Sequence, residues 1–213
     1  MIAPDEGGTL HSSDEGGTLH SSYSHREILI PHLRRRGGES PFKKGRLFFF
    51  DETDVYWCPD TGRIYQLPKK QVKIDSPGKN QIRYLLGSVE YPSGEGLYEI
   101  YQHKRNEEVK AHLSHLLEMY PDYYCFVVWD NASQHTTPML HPFLEEQQDR
   151  LCMVSLPTYS PHLNLIERLW HYMRDQITRN HFSKTFRELL EGLVKWLQNL
   201  PFERFMSLIG ISP

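Results

Sequence analysis

Two runs of uninterrupted apolar residues, Leu47–Phe50 and Cys125–Trp129, each stop on an aspartate, Asp51 and Asp130. A strand wetted on one face alternates polar with apolar side chains, whereas a strand apolar throughout is covered on both faces. Two such runs in one chain point to a sheet held between helices. An aspartate after a strand is, taken alone, ordinary punctuation, because Asp and Asn side chains bond nearby backbone groups in turns and caps. The order of the remaining segments gives these two aspartates a second reading.

"GRIYQLP", around Ile64, reads as a short strand in an excursion. Gln81–Tyr91 and Gly96–Gln102 are rich in β-branched and aromatic residues and flank "PSGEG", so they form a hairpin. "NEEVKAHLSHLLEMYP" sets Val109, Leu113, Leu116 and Leu117 at helical spacing, with Glu107 and Glu108 in the first turn and Pro121 at the end. Tyr123–Trp129 is the next strand. A helix from about Pro138, the strand "LCMVSLP", and helices in "SPHLNLIERLWHYMRDQITRN" and "TFRELLEGLVKWLQNL" complete the chain. A meander followed by alternating strands and helices predicts an α/β fold, a mixed sheet flanked by helices.

The chain has 213 residues, 38% hydrophobic and 12% aromatic, enough for one domain with a real core. No apolar run approaches the roughly 20 residues of a membrane span, and no signal peptide is legible. Cys58, Cys125 and Cys152 lie far apart, without a CxxC pair. His112 and His115 stand three apart on a helix, but nothing completes a zinc set around them. The net charge of −3 argues against a dedicated nucleic-acid-binding module. It is compatible with an enzyme that meets DNA through an acidic, metal-filled centre. "DEGGTLHSS" occurs twice in tandem, at 5–13 and 14–22, and "LRRRGGESPFKKG" follows. Residues 1–45 are therefore expected to be a disordered tail and basic linker, and 46–213 the folded domain.

In open α/β sheets, sites form beyond the carboxyl ends of strands. If the strands ending at Asp51 and Asp130 are neighbours, their carboxylates meet, and the helix carrying Glu167 can return over the same edge. Three ionised carboxylates repel one another. Divalent cations with oxygen-only ligation, Mg2+ or Mn2+, relieve this, and a two-metal centre activates a water or a 3′-hydroxyl for displacement at phosphorus.

"FFFDET", "VVWDNASQH" and "LPTYSPHLNLIERLW" resemble, in order, the three blocks of the DDE transposases of the IS630 group, related to the Tc1/mariner elements. The resemblance runs from about Arg46 to Gly210, with 36 residues between Asp130 and Glu167. It implies a ribonuclease-H-like core that cuts DNA at element ends and joins the freed 3′ ends into a target, typically at TA. By motif match, Asp51, Asp130 and Glu167 carry over as catalytic metal ligands for two divalent cations. Asn131, His135 and Asn164 carry over as motif-supporting residues. Members of that family usually begin with a helix-turn-helix region that reads the element ends, and residues 1–45 offer no counterpart. The expected partners are DNA, a second copy of the chain on it, and a separately encoded helix-turn-helix subunit, in the bacterial cytoplasm at the nucleoid and away from membranes. The competing readings are an idle remnant that only binds partners, and a structure-selective nuclease of the same fold.

Along the third-block helix, Ile166, Leu169, Trp170, Met173 and Ile177 share one side, expected to pack on the sheet. Asn164, Glu167, His171, Arg174 and Thr178 share the adjacent side. His171 and Arg174, one and two turns beyond Glu167, are expected to meet DNA phosphates, and Thr178 to be solvated.

Overall fold

A computed structural model describes residues 44–63, 73–130, 138–157 and 163–209, with the backbone of residues 19–20, 28–29, 34–35 and 38–39. The expected strand at Ile64 and most of the expected tail lie outside the described residues. Within the first 43 residues, two-residue strands at Leu19–His20 and Ile28–Leu29 join the main sheet, and Arg34–Arg35 pairs with Gly38–Glu39.

Five long strands make the sheet: β1 (Lys44–Tyr56), β2 (Ile82–Tyr91), β3 (Gly96–Tyr101), β4 (Tyr124–Trp129) and β5 (Leu151–Ser155). Their spatial order is β3–β2–β1–β4–β5. The hairpin β2–β3 and the pair β1–β2 are antiparallel, while β1–β4 and β4–β5 are parallel. The expected mixed sheet is present, and β1 is its hinge of direction.

Alternation along β1 divides the core. Phe48 and Phe50 are fully buried toward one face, with Leu86, Leu97 and helix α1 (Asn106–Met119). Thr53 and Val55 point to the other face, where Val55 packs with α3 (Leu165–Met173), α4 (Phe186–Gln198) and α5 (Phe202–Ile209). The short α2 (His141–Glu146) precedes β5. Local signals set the helix ends. Thr185 Oγ1 accepts from the Glu188 N–H at 3.1 Å and Glu188 returns a bond to the Thr185 N–H, a reciprocal cap that starts α4. Glu108 does the returning half for α1 at the Arg105 N–H.

One buried polar chain crosses the α1 face. His112 Nδ1 lies 2.6 Å from Glu99 Oε2, His112 Nε2 lies 2.9 Å from Ser88 Oγ, and His115 Nδ1 lies 2.6 Å from Glu99 Oε1. Tyr101 donates to Glu99 as well. The Ser–His–Glu order has the connectivity of a nucleophile relay, but Ser88 and His112 are both 0% exposed, so no substrate reaches them. The cluster is structural, a set of partners for a carboxylate that burial would otherwise penalise.

Candidate metal and DNA site

The sequence led us to expect Asp51 at the end of its strand. It lies instead in the interior of β1, which continues through Tyr56 because β2 keeps pairing with it as far as Ile82. The pairing that ends near Asp51 is the one on the other side. β1 and β4 run in parallel register from Gly45 with Tyr124 to Phe49 with Val128, and β4 stops at Trp129. Asp51 and Asp130 each stand two residues beyond that last pair, so the register carries them to the same level. The overhang of β1 past the end of β4 opens one flank of Asp51.

α3 brings Glu167 to this flank, and three side chains bolt the helix to β1. Asn164, at the helix start and 0% exposed, donates from Nδ2 to the Phe50 carbonyl at 3.0 Å. Trp170 donates from Nε1 to Asp51 Oδ2 at 3.1 Å, and Arg174 from Nη2 to Thr53 Oγ1 at 2.8 Å. The donors climb the helix while the acceptors climb the strand. Glu167, half-buried, sits between the first two bolts. The expected packing side is confirmed, with Ile166, Leu169, Trp170 and Met173 all buried and Ile177 packed against the same core.

Burial pushes the Asp51 carboxyl up to about 7, with Glu52, Asp130 and Glu167 adding charge repulsion against a backbone hydrogen bond that opposes it. Asp130 and Glu167 thus lie within electrostatic reach of Asp51. Among the described residues no three His, Cys, Asp or Glu side chains stand close enough together to enclose a metal ion. The donor chemistry nevertheless fits a hard divalent cation: the oxygens are carboxylates, and their mutual repulsion is what such a cation relieves. Asn164 Oδ1 adds a buried oxygen with no hydrogen-bond partner among the described residues.

Asn131 and His135 lie outside the described residues. His171 is exposed and Arg174 half-buried. Thr178 departs from expectation: it is buried, and its hydroxyl donates to Asp60 Oδ2 at 3.1 Å. The cause is a wide turn over Arg174–Thr178, closed by the Arg179 N–H on the Arg174 carbonyl. This π-type turn rotates the last residues away from α-helical phase. The sequence reading missed Thr53 and the polar role of Trp170. A signal for the second existed, since a buried indole N–H needs an acceptor.

A mixed five-strand sheet in this order, with acids level on its central parallel pair and a third on the following helix, is the ribonuclease-H-like arrangement of a DDE-type nuclease. Comparison with known proteins agrees. The family described as DDE superfamily endonuclease matches residues 46–190, and the chain belongs to it. The expected kinship with the IS630 group is also found. The insertion element IS630 uncharacterized 39 kDa protein of Shigella sonnei is 29% identical over 162 residues, 73% of this chain and 46% of that protein. The uncharacterized protein y4pE/y4sA of Sinorhizobium fredii (strain NBRC 101917 / NGR234) is 27% identical over 108 residues, 50% of this chain and 76% of that one. Among solved structures, the Mos1 transposase paired-end complex with the left transposon end has a TM-score of 0.60 at 17% identity, covering 77% of this chain and 51% of that one. The catalytic domain of Mos1 mariner transposase gives 0.54 at 15% identity, covering 77% and 75%. The chain spans about half the length of the IS630 protein and of Mos1 in that complex.

Proposed function

We propose that the chain is the catalytic domain of a DNA transposase, cutting DNA at the ends of a mobile element and joining the freed 3′ ends into target DNA at TA. The observation that carries this reading is the level placement of Asp51 and Asp130 beside the central parallel pair, with Glu167 on a helix bolted to the first strand. Two Mg2+ or Mn2+ ions, when bound, supply activation of a water or 3′-hydroxyl and steady the leaving oxygen. Asp51, Asp130 and Glu167 would hold them. Asn164 fixes the helix start, and Asn131 and His135 serve the site as motif-supporting residues. The chain works as two copies on DNA, and a helix-turn-helix module, in the same polypeptide or a separate subunit, selects the element ends. The setting is the bacterial cytoplasm, at the nucleoid; no described helix is long and apolar enough to cross a membrane.

Supercoiled plasmid incubated with the chain and Mn2+ is expected to be nicked, and EDTA to stop the reaction. A labelled oligonucleotide with a free 3′-hydroxyl is expected to become joined to the plasmid. Nicking without joining would favour a structure-selective nuclease of the same fold. Neither reaction, even from a chain supplied with an end-binding helix-turn-helix module, would leave only a binding role.

Arg174 and His171 extend the site along α3 toward flanking phosphates, and the Arg174 fork keeps donors beyond the one given to Thr53. Arg174→Ala is expected to weaken DNA binding and to flatten the plot of log affinity against log salt by about one unit. His171→Ala should do less. Superimposed salt plots for wild type and Arg174→Ala would remove this helix face from the DNA interface.

A further inference from the structure

Trp170 is only 3% exposed. Packing explains its ring but not its N–H, since a phenyl ring would fill a core as well. The seat of the ring is specific. Asp51 on β1 pairs with Gly87 on β2, and Gly87 pairs with Tyr98 on β3, forming one row across three strands. Trp170 lies across that row. Tyr98 meets it edge-on with ring centroids 6.2 Å apart, and a Cβ added at Gly87 would stand 2.6 Å from Trp170 Cη2. Positive φ among the described glycines occurs at Gly78 and Gly94, so Gly87 supplies room for the ring and not an unusual backbone. The far end of the same indole delivers its N–H to Asp51 Oδ2. A glycine therefore lets an aromatic side chain reach over β2 and touch the carboxylate on the next strand.

We propose that Trp170 is a positioning residue of the metal site: its indole N–H, seated by Gly87, fixes one oxygen of Asp51 and so sets the edge that the carboxylate offers to a cation. The proposal rests on the reading of Asp51 as a metal ligand. The indole is a donor only and cannot itself bind a cation through nitrogen. It acts through Asp51, as hydrogen-bonded outer partners of ligating groups do; losing one typically costs about 10- to 100-fold in metal affinity.

The test is Mn2+ binding to the full chain, followed by the electron paramagnetic resonance of free Mn2+. Trp170→Phe keeps most of the ring and removes the N–H. It is expected to weaken Mn2+ binding by roughly 10-fold or more. Gly87→Ala keeps the N–H but displaces the ring, and should do the same. Asp51→Asn should reduce binding further, and Trp170→Phe should add little on that background. A nuclear magnetic resonance measurement needs no substitution at the site: of the four indole N–H signals, that of Trp170, assigned by substituting the other three tryptophans, should move on adding Mg2+. Wild-type affinity in Trp170→Phe beside a weakened Asp51→Asn would overturn the role of Trp170 and leave the metal site standing. Wild-type affinity in Asp51→Asn would overturn both. If Trp170→Phe fails to fold, an unmoved Trp170 signal together with wild-type affinity in Gly87→Ala overturns the proposal.

Discussion

Asp130→Asn is expected to lower Mn2+-dependent nicking by about three orders of magnitude or more while leaving the melting temperature of the metal-free chain close to that of wild type. A metal ligand supports several kcal/mol of transition-state charge, and about 4 kcal/mol corresponds to a factor of roughly a thousand. The amide keeps the size of the carboxylate, so packing at the end of β4 is undisturbed. Undiminished metal-dependent cutting by this variant would sink the site assignment. The electrostatics add a second signature. Burial holds the Asp51 carboxyl at about 7 in the fold, well above the ordinary aspartate value of 3.8. A carboxyl more easily protonated folded than unfolded costs nothing below its unfolded value, and its full penalty applies above the folded one. The chain should therefore gain more stability from Mg2+ at pH 8 than at pH 5, as measured by melting temperature.

His112→Leu is expected to destabilise the fold by about 3 kcal/mol, because it removes a buried partner of both Ser88 and Glu99 and leaves Glu99 to Tyr101 and the half-exposed His115. Burial alone would raise the Glu99 carboxyl, but hydrogen bonds and charge from His112, and then from His115, outweigh it and hold the group at about 2. A carboxyl depressed in the fold contributes stability above its unfolded value, and that contribution is lost as the pH falls through the folded one. In wild type this loss runs from the ordinary glutamate value of 4.5 down to about 2. In His112→Leu the acid-side loss of melting temperature should be smaller and should end at higher pH, because the folded value rises while the unfolded one stays where it is. His115→Ala, at a half-exposed position, should cost much less. Equal melting temperatures for wild type and His112→Leu would show that Glu99 finds its stabilisation elsewhere.

Most strands and helices were legible because their signals are local. Apolar runs marked β1 and β4, and spacings of three and four residues marked α1, α3 and α4. The end of β1 was misplaced because Glu52 and Asp54 look like a strand's exit, whereas Thr53 between them and Val55 after them are buried on one face. That alternation becomes decisive only once β2 is known to pair alongside. Of the three acids expected at strand and helix landmarks, Asp130 follows a strand end and Glu167 stands in a helix's first turn, whereas Asp51 lies inside its strand. Their supports were not legible, since the bonds of Asn164, Trp170 and Arg174 each join residues more than a hundred positions apart. His112 and His115 were weighed only as zinc ligands, because the carboxylate they share comes from β3 rather than from their own helix. The burial of Thr178 depended on a widened helical turn that leaves no mark in the periodicity.

The parallel pairing of Phe49 with Val128 joins two stretches separated by the whole hairpin and α1. Contacts so remote in sequence form slowly, because a long loop must close before they stabilise anything. As synthesis proceeds from the N-terminus, β1, β2 and β3 can assemble into an antiparallel meander before β4 exists. At that stage Asp51 is present and useless. A message broken, or a frame lost, anywhere before the codon for Glu167 yields a stump with an incomplete acid set. On the proposed site, such a chain would gain its cutting power late in its own synthesis, when the helix carrying Glu167 emerges.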